Sequence, residues 1–424
     1  MLGLETCVAA SRVLALAKGY PGLPIEFPPT RTAALQALSA FVPKAGKDYA
    51  SGRNYDLAGH PHVSTLSPYI RHRLITEQEV LQAVLGRFSL SSAQKFVQEV
   101  FWRTYWKGWL EMRPQVWVDY QRGVQGALNH VQTESGLRDR WEAACKGETD
   151  IDCFNHWAQQ LVNTGYMHNH ARMWFASIWI FTLRLPWELG ADFFMRHLLD
   201  GDPASNTLSW RWVAGLQTKG KTYLARPDNI AKYTEGRFQP TGLATDAPPL
   251  SGPAHPTPMA APVLDPWTMT DATGILLTEE DLSPGFMLQS KRPVASAVMV
   301  AVTGRSPLSV SPHVTKFTQA AAQDTVSRHA DKIGDTATLT DVAALVDWAR
   351  SHNLDQIVTA YAPVGPAADT LTEAVSVFAK ENITLTRALR PYDATCWPHA
   401  THGFFKFKDK IPKLVGTMKG VGVA

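Results

Sequence analysis

Apolar side chains recur at helical spacing through the first half of this 424-residue chain and give way to short continuous apolar runs in its last third. Thr30 precedes Ala33, Leu35, Leu38 and Phe41, which share one helical face. Thr76-Glu-Gln-Glu79 is a capping box ahead of Val80, Leu81 and Leu85: hydroxyl and carboxylate each satisfy a backbone N–H that the first turn leaves open. Residues 93–110 bring Phe96, Val100, Tyr105 and Trp109 together. The pattern predicts a run of helices with polar connections over residues 28–238. The apolar stretch from Met173 to Leu189 is interrupted by Arg184 and Pro186 and falls short of the ~18 residues of a membrane span, so it predicts a buried helix.

Residues 239–292 have no period. Their opening stretch is rich in proline and small residues and reads as an extended linker. Over residues 293–415 the rhythm changes again. Strands are predicted at Ala295–Val302, Gln356–Tyr361 and Ile383–Leu389, with helices at Val314–Ile333, Thr340–His352 and Ala367–Lys380 between them. Alternation of this kind implies a parallel sheet. The expected fold is mostly α: a large helical domain followed by a small α/β domain whose sheet, at about three strands, looks incomplete.

Composition narrows the chemistry. With 41 Lys and Arg against 38 Asp and Glu the net charge is only +3, so any nucleic-acid contact must come from a local basic face. Cys7, Cys145, Cys153 and Cys396 show no CxxC spacing, which argues against a structural zinc site or a disulfide scaffold; no metal is expected. The start of the chain lacks the charged n-region and small-residue cleavage site of a leader, so a soluble, cytoplasmic protein is expected. Eleven of the fourteen tryptophans lie between Trp102 and Trp212. Packing alone would place Leu or Ile at most of those positions, so the helical region carries something besides a core.

The same region concentrates polar groups on segments that read as buried. Thr164-Gly-Tyr-Met-His-Asn-His-Ala-Arg-Met173 and Asp200-Gly-Asp-Pro-Ala-Ser-Asn206 crowd His, Asn, Arg and paired Asp among indoles. Such groups are costly unless satisfied, which points to a polar, aromatic ligand. Arg172 is expected to pair with one of the two aspartates. In His62–Arg71, Ser67 reads as an N-cap and Pro68 as the first helical residue, placing Ser64, Thr65 and Ser67 at a helix N-terminus suited to phosphate, although an ordinary capped helix explains that segment alone. Glu99, Trp102 and Arg103 share a helical face, which suits a flat base or simply an intrahelical Glu–Arg pair. In His399–Lys410, the Phe/Lys alternation is expected to pack its apolar side and leave the lysines in water.

Taken in order, Ser64-Thr-Leu-Ser-Pro-Tyr69, Gln98-Glu-Val-Phe-Trp-Arg103, the Thr164–Met173 stretch and Asp200–Asn206 with Trp210-Arg-Trp212 resemble the photolyase/cryptochrome family over about residues 28–238. The resemblance implies a helical FAD-binding domain. It assigns Tyr49, Ser64, Thr65, Leu66 and Ser67 to the pyrophosphate and ribityl end of FAD, and Gln98, Arg172, Asp200 and Asp202 to the flavin and its chain. Asn206 would face the flavin N5. Trp210 and Trp187 match the first two members of a photoreduction chain. Its third has no tryptophan in the expected region near Val131, and Trp117 or Trp141 could substitute.

Glu99, Trp102, Asn169, Met173 and Trp212 match residues that act on a flipped cyclobutane pyrimidine dimer, and Arg53 and Arg103 match DNA contacts. His170 departs from the Arg common at its position. Family members usually carry the α/β domain first; here Asn353-Leu-Asp-Gln-Ile-Val-Thr-Ala-Tyr361 and Gly403-Phe-Phe-Lys-Phe-Lys408 look like its later part, moved behind the helical domain. A sheet that short speaks against a bound antenna chromophore. The implied function is a light-dependent lyase that passes an electron from excited reduced FAD to a pyrimidine dimer in damaged DNA. The alternative is a cryptochrome-like blue-light photoreceptor that signals to a partner without repair.

Overall fold

The computed structural model describes residues 26–288 and 291–418; Cys7 and the segment on which the leader reading rests lie outside them. Thr30 caps α1 (Arg31–Phe41) through its hydroxyl, and α2 spans Lys47–Gly52. Helix α3 (Ser67–Arg71) begins one residue earlier than expected: Leu66, not Ser67, is the N-cap, and no side chain caps the turn. The capping box at Thr76 and Glu79 opens α4 (Glu77–Leu85) as predicted. Then come α5 (Gln94–Glu111), α6 (Gln115–Thr133), α7 (Ser135–Lys146) and α8 (Asp152–Thr164). The apolar stretch at 173–189 is a junction. Helix α9 (Asn169–Ser177) passes into a π-turn at Ile178–Thr182, Arg184 takes a positive φ of 54°, and α10 (Trp187–His197) starts after Pro186. Helices α11 (Pro203–Val213) and α12 (Pro227–Tyr233) complete this part. No helix among the described residues is long and apolar enough to cross a membrane.

The stretch after α12 is extended but not loose. The Leu250 amide donates to the Ala214 carbonyl at 3.0 Å, and Met259 donates to Met112 at 2.8 Å, so the strap is stitched onto the helices. Within the 239–292 segment a strand appears that its sequence concealed: β1, Thr273–Thr278. It is followed by β2 (Ala295–Met299), α13 (Pro312–Ile333), β3 (Thr336–Leu339), α14 (Val342–Ser351), β4 (Gln356–Ala360), α15 (Pro366–Phe378) and β5 (Thr384–Ala388). Three short helices close the chain: α16 (Pro391–Cys396), α17 (Phe404–Lys408) and α18 (Ile411–Thr417).

The sheet therefore has five strands, not three, all parallel, in the order β3-β2-β1-β4-β5. Leu276 sits between Ala297 and Thr359 in the register. Two strands escaped prediction for separate reasons. Gly274 weakens the β1 pattern, but a Cβ there would overlap Leu354 and Trp348, so the glycine marks close packing of the strand under α14. β3 is a four-residue edge of mostly small, half-exposed residues.

A doubly wound sheet offers its ligand crevice where the strand order reverses, at the carboxyl ends of β1 and β4. Here the helical region fills that place. Arg71 donates to both Glu280 oxygens at 2.8 and 2.6 Å, and Lys107 stands 3.6 Å from the same carboxylate. Glu111 accepts from the Tyr361 hydroxyl at 2.7 Å and from the Val364 amide at 2.6 Å.

Candidate active site

Helix α9 opens where the polar cluster begins. The His168 ring accepts from the His170 amide at 3.2 Å, so the cap fixes the backbone that carries Asn169, Arg172 and Met173. Arg172 is held at two points: Nε donates to the Met167 carbonyl and Nη2 to Asp200, each at 2.9 Å. The expected Arg–Asp pair is thus present. The second Asp200 oxygen is buried with no protein partner, as are Ser205 Oγ, Thr207 Oγ1 and Trp210 Nε1 on α11. Asp202 caps α11 by accepting from the Ser205 amide at 2.8 Å. One turn on, Asn206 Nδ2 donates to the Ala191 carbonyl at 2.8 Å, leaving the amide oxygen as its free acceptor.

The Ser64–Ser67 segment forms a tight corner. Thr65 takes a positive φ of 51° and donates to the Ser64 carbonyl at 2.8 Å, while Leu66 is wholly buried. Tyr49 lies edge-on to Phe41 and Phe96, at 5.8 and 5.2 Å between ring centroids. Gln98 is half-buried on α5.

The neighbouring wall is built on α5. Arg53 reaches Glu99 at 3.3 Å, so the Glu99 partner comes from the end of α2 and not from its own helix. Withdrawal from solvent raises the Glu99 carboxyl above its ordinary range, against the lowering by Arg53 and Lys95. Trp102 lies flat on Phe404 of α17, 3.6 Å between centroids and 12° between planes. Asn169 is exposed, Met173 and Trp212 are half-buried, and Trp212 leans on Tyr223 at 5.8 Å.

Arg103 corrects an expectation. Assigned to DNA, it turns inward, 3.3 Å from Glu77 and 3.5 Å from Asp202, with 14% of its side chain exposed. Its guanidinium belongs to the buried ion network that joins α4, α5 and the start of α11. Asp202 belongs there too, with Lys107 at 3.1 Å. Burial alone would raise its carboxyl, but Lys107, Arg103 and Arg71 together hold it far below the usual range. His170 also faces inward. Its ring stacks on Trp174 at 4.1 Å and bonds the Asn54 carbonyl at 2.9 Å, and burial lowers its pKa.

A chain of rings leads away from α11. Gly190 follows Trp187 by three residues on α10, and a Cβ there would run into the Trp210 ring, so α10 packs closely on that indole. Trp187 lies 5.8 Å from Tyr120, which lies 5.2 Å from Trp117. Tyr120 was missed in the sequence, although its i+3 spacing from Trp117 on α6 is the signal that finds it. The Phe/Lys alternation of His399–Lys410 predicts that an apolar side of that segment packs, as Phe404 and Phe407 do, but not that Phe404 lies on Trp102.

Residues 96–242 match the family model described as the FAD binding domain of DNA photolyase. Over these residues the chain is similar to the photolyase/cryptochrome family. Among curated relatives, a deoxyribodipyrimidine photo-lyase of Streptomyces griseus is 30% identical over 214 residues, covering 47% of this chain and 45% of that protein. One from Agrobacterium fabrum is 31% identical over 190 residues (44% and 38%), and one from Alkalihalophilus pseudofirmus is 27% identical over 246 residues (56% and 48%). The chain thus spans about half the length, or less, of the relatives it matches. FAD is the cofactor of this domain family, and the residues present fit it: four buried polar atoms on Asp200 and α11 lack protein partners, and the free Asn206 oxygen is of the type a flavin N–H requires.

Proposed function

We propose that the chain is a light-dependent lyase that splits a cyclobutane pyrimidine dimer in DNA. The observation that carries this reading is the wall next to the flavin pocket: Glu99 set by Arg53, with Trp102 one turn away on the same helix. A flipped base needs a flat surface to lie against and a carboxyl to bond its edge, and this wall has both. Bound FAD, reduced and then excited by blue light, supplies the electron for the split.

The protein's part is placement. Arg172 and Asp200 brace each other beside the unsatisfied polar atoms that would take the flavin, and Asn206 presents an acceptor fixed by Ala191. Trp210, Trp187, Tyr120 and Trp117 would refill the site with electrons from the surface. Asn169, Met173 and Trp212 would close around the dimer, with the raised Glu99 carboxyl bonding a base edge.

The test is repair by purified protein under blue light, with the flavin fully reduced, of an oligonucleotide carrying one thymine dimer. Dimers that persist overturn the reading. In that case the photoreceptor alternative gains, and one observation already favours it: position 170 offers DNA a half-buried imidazole turned inward, not a cation.

A further inference from the structure

The C-terminal segment 402–413 lies against the same helix that carries Glu99 and Trp102. Tyr105 donates to the His402 carbonyl at 2.8 Å, Arg113 donates to the Thr401 carbonyl at 2.8 Å, and Phe404 covers one face of Trp102. Phe404 and Phe407 are buried. Phe405, between them, is 79% exposed, the most exposed large hydrophobic side chain among the described residues. Packing does not account for it, because α17 already has its two anchors.

The surroundings of Phe405 are cationic. Lys406, Lys410 and Lys413 are exposed and Lys408 half-buried, against a single carboxylate, Asp409. In a chain of net charge +3 this is a local basic face, set around an aromatic ring and continuous with the dimer wall through the Phe404–Trp102 stack. Lysines that track phosphates and a ring on which a base can stack are the two parts of a single-strand contact.

We propose that segment 402–413 is a second DNA-contact element, in which the Phe405 ring stacks on a base beside the pocket and the lysines hold its phosphates. The element rests on the DNA reading above. It reads no sequence, because any base has a face to stack on. It also replaces, from the far end of the chain, the cationic contact that His170 does not provide.

The test uses the full-length protein and a fluorescein-labelled single strand, undamaged or carrying one thymine dimer, with anisotropy read across a salt series. Phe405→Ala should weaken binding of the undamaged strand roughly tenfold, the scale of one lost base–aromatic stack, and Phe405→Trp should restore it. Lys406→Gln with Lys410→Gln should flatten the salt slope by about 1.4 for two lost phosphate contacts. An unchanged flavin spectrum and melting temperature show that the variants fold. Wild-type protein that binds DNA while both sets of variants bind equally well, with the same slope, overturns this element alone. Wild-type protein that binds no DNA overturns the repair reading with it.

Discussion

Asn206 Nδ2 donates to the Ala191 carbonyl at 2.8 Å, and that one bond decides which end of the amide is available to a ligand. The carbonyl accepts only from the nitrogen, so the oxygen is left to accept a proton-bearing nitrogen such as the N5–H of reduced flavin. Asn206→Ala should still bind FAD, but its photoreduced form should reoxidise several-fold faster in the dark. Asn206→Asp should behave no better, because a carboxylate facing the Ala191 carbonyl removes the fixing bond. Absorbance recovery after a blue-light pulse reads the difference. Equal recovery in wild type and both variants would show that the free oxygen has no part in holding the reduced cofactor.

The ring distances Trp187–Tyr120 and Tyr120–Trp117, 5.8 and 5.2 Å, select between the two exits open on sequence. Trp117 continues the line, while Trp141 makes no ring contact with it among the described residues. Trp187→Phe, Tyr120→Phe and Trp117→Phe should each slow photoreduction several-fold with a thiol donor, and Trp141→Phe should not. A slow Trp141 variant beside a normal Trp117 variant would move the exit to α7.

Most of the helical region was legible because its signals are local. Thr30 and the Thr76–Glu79 box act within one turn, and both caps form as read. Arg172 was legible as the mate of one of the two aspartates, and the structure picks Asp200. What failed was long-range. Arg103 stands at i+4 from Glu99, yet Glu77 and Asp202 claim it from other elements, and spacing along a helix cannot show that. Phe404 meets Trp102 from the other end of the chain. β1 is hidden by the glycine that lets Trp348 approach it, since a residue chosen for close packing erases the periodicity that marks a strand.

Arg71 and Glu280 join the helical region to the end of β1 with two charged hydrogen bonds in full burial. Removing Glu280 leaves the buried Arg71 guanidinium without its two-bond partner and takes from Lys107 the more distant of its two carboxylates. Glu280→Ala should therefore cost about 3–5 kcal/mol of stability. Urea unfolding of the holoprotein measures it. A loss below about 1 kcal/mol would mean the network relaxes onto Asp202 instead, a size expected only of exposed pairs.

Glu111 gives the opposite pH dependence to Glu280. Burial drives the Glu111 carboxyl up to about 7, despite the bonds from Val364 and Tyr361, whereas Arg71 and Lys107 overcome burial and bring Glu280 down to about 2. A raised folded-state value means the folded protein holds the proton more tightly than the unfolded chain. The Glu111 contribution is thus complete below its ordinary value of 4.5 and is lost as pH rises through about 7. Glu280 contributes above 4.5 and loses its share as pH falls toward 2. Between pH 5 and 7 the Glu111 term should lower stability by at most about 1.4 kcal/mol per pH unit. Glu111→Gln, which keeps one oxygen to accept from the Val364 amide and turns an NH2 toward the Tyr361 hydroxyl, cannot ionise and should flatten the melting temperature across that window. If wild type and variant fall in parallel from pH 5 to 7, the carboxylate at the carboxyl end of β4 is already ionised throughout, and the two bonds it accepts outweigh its burial.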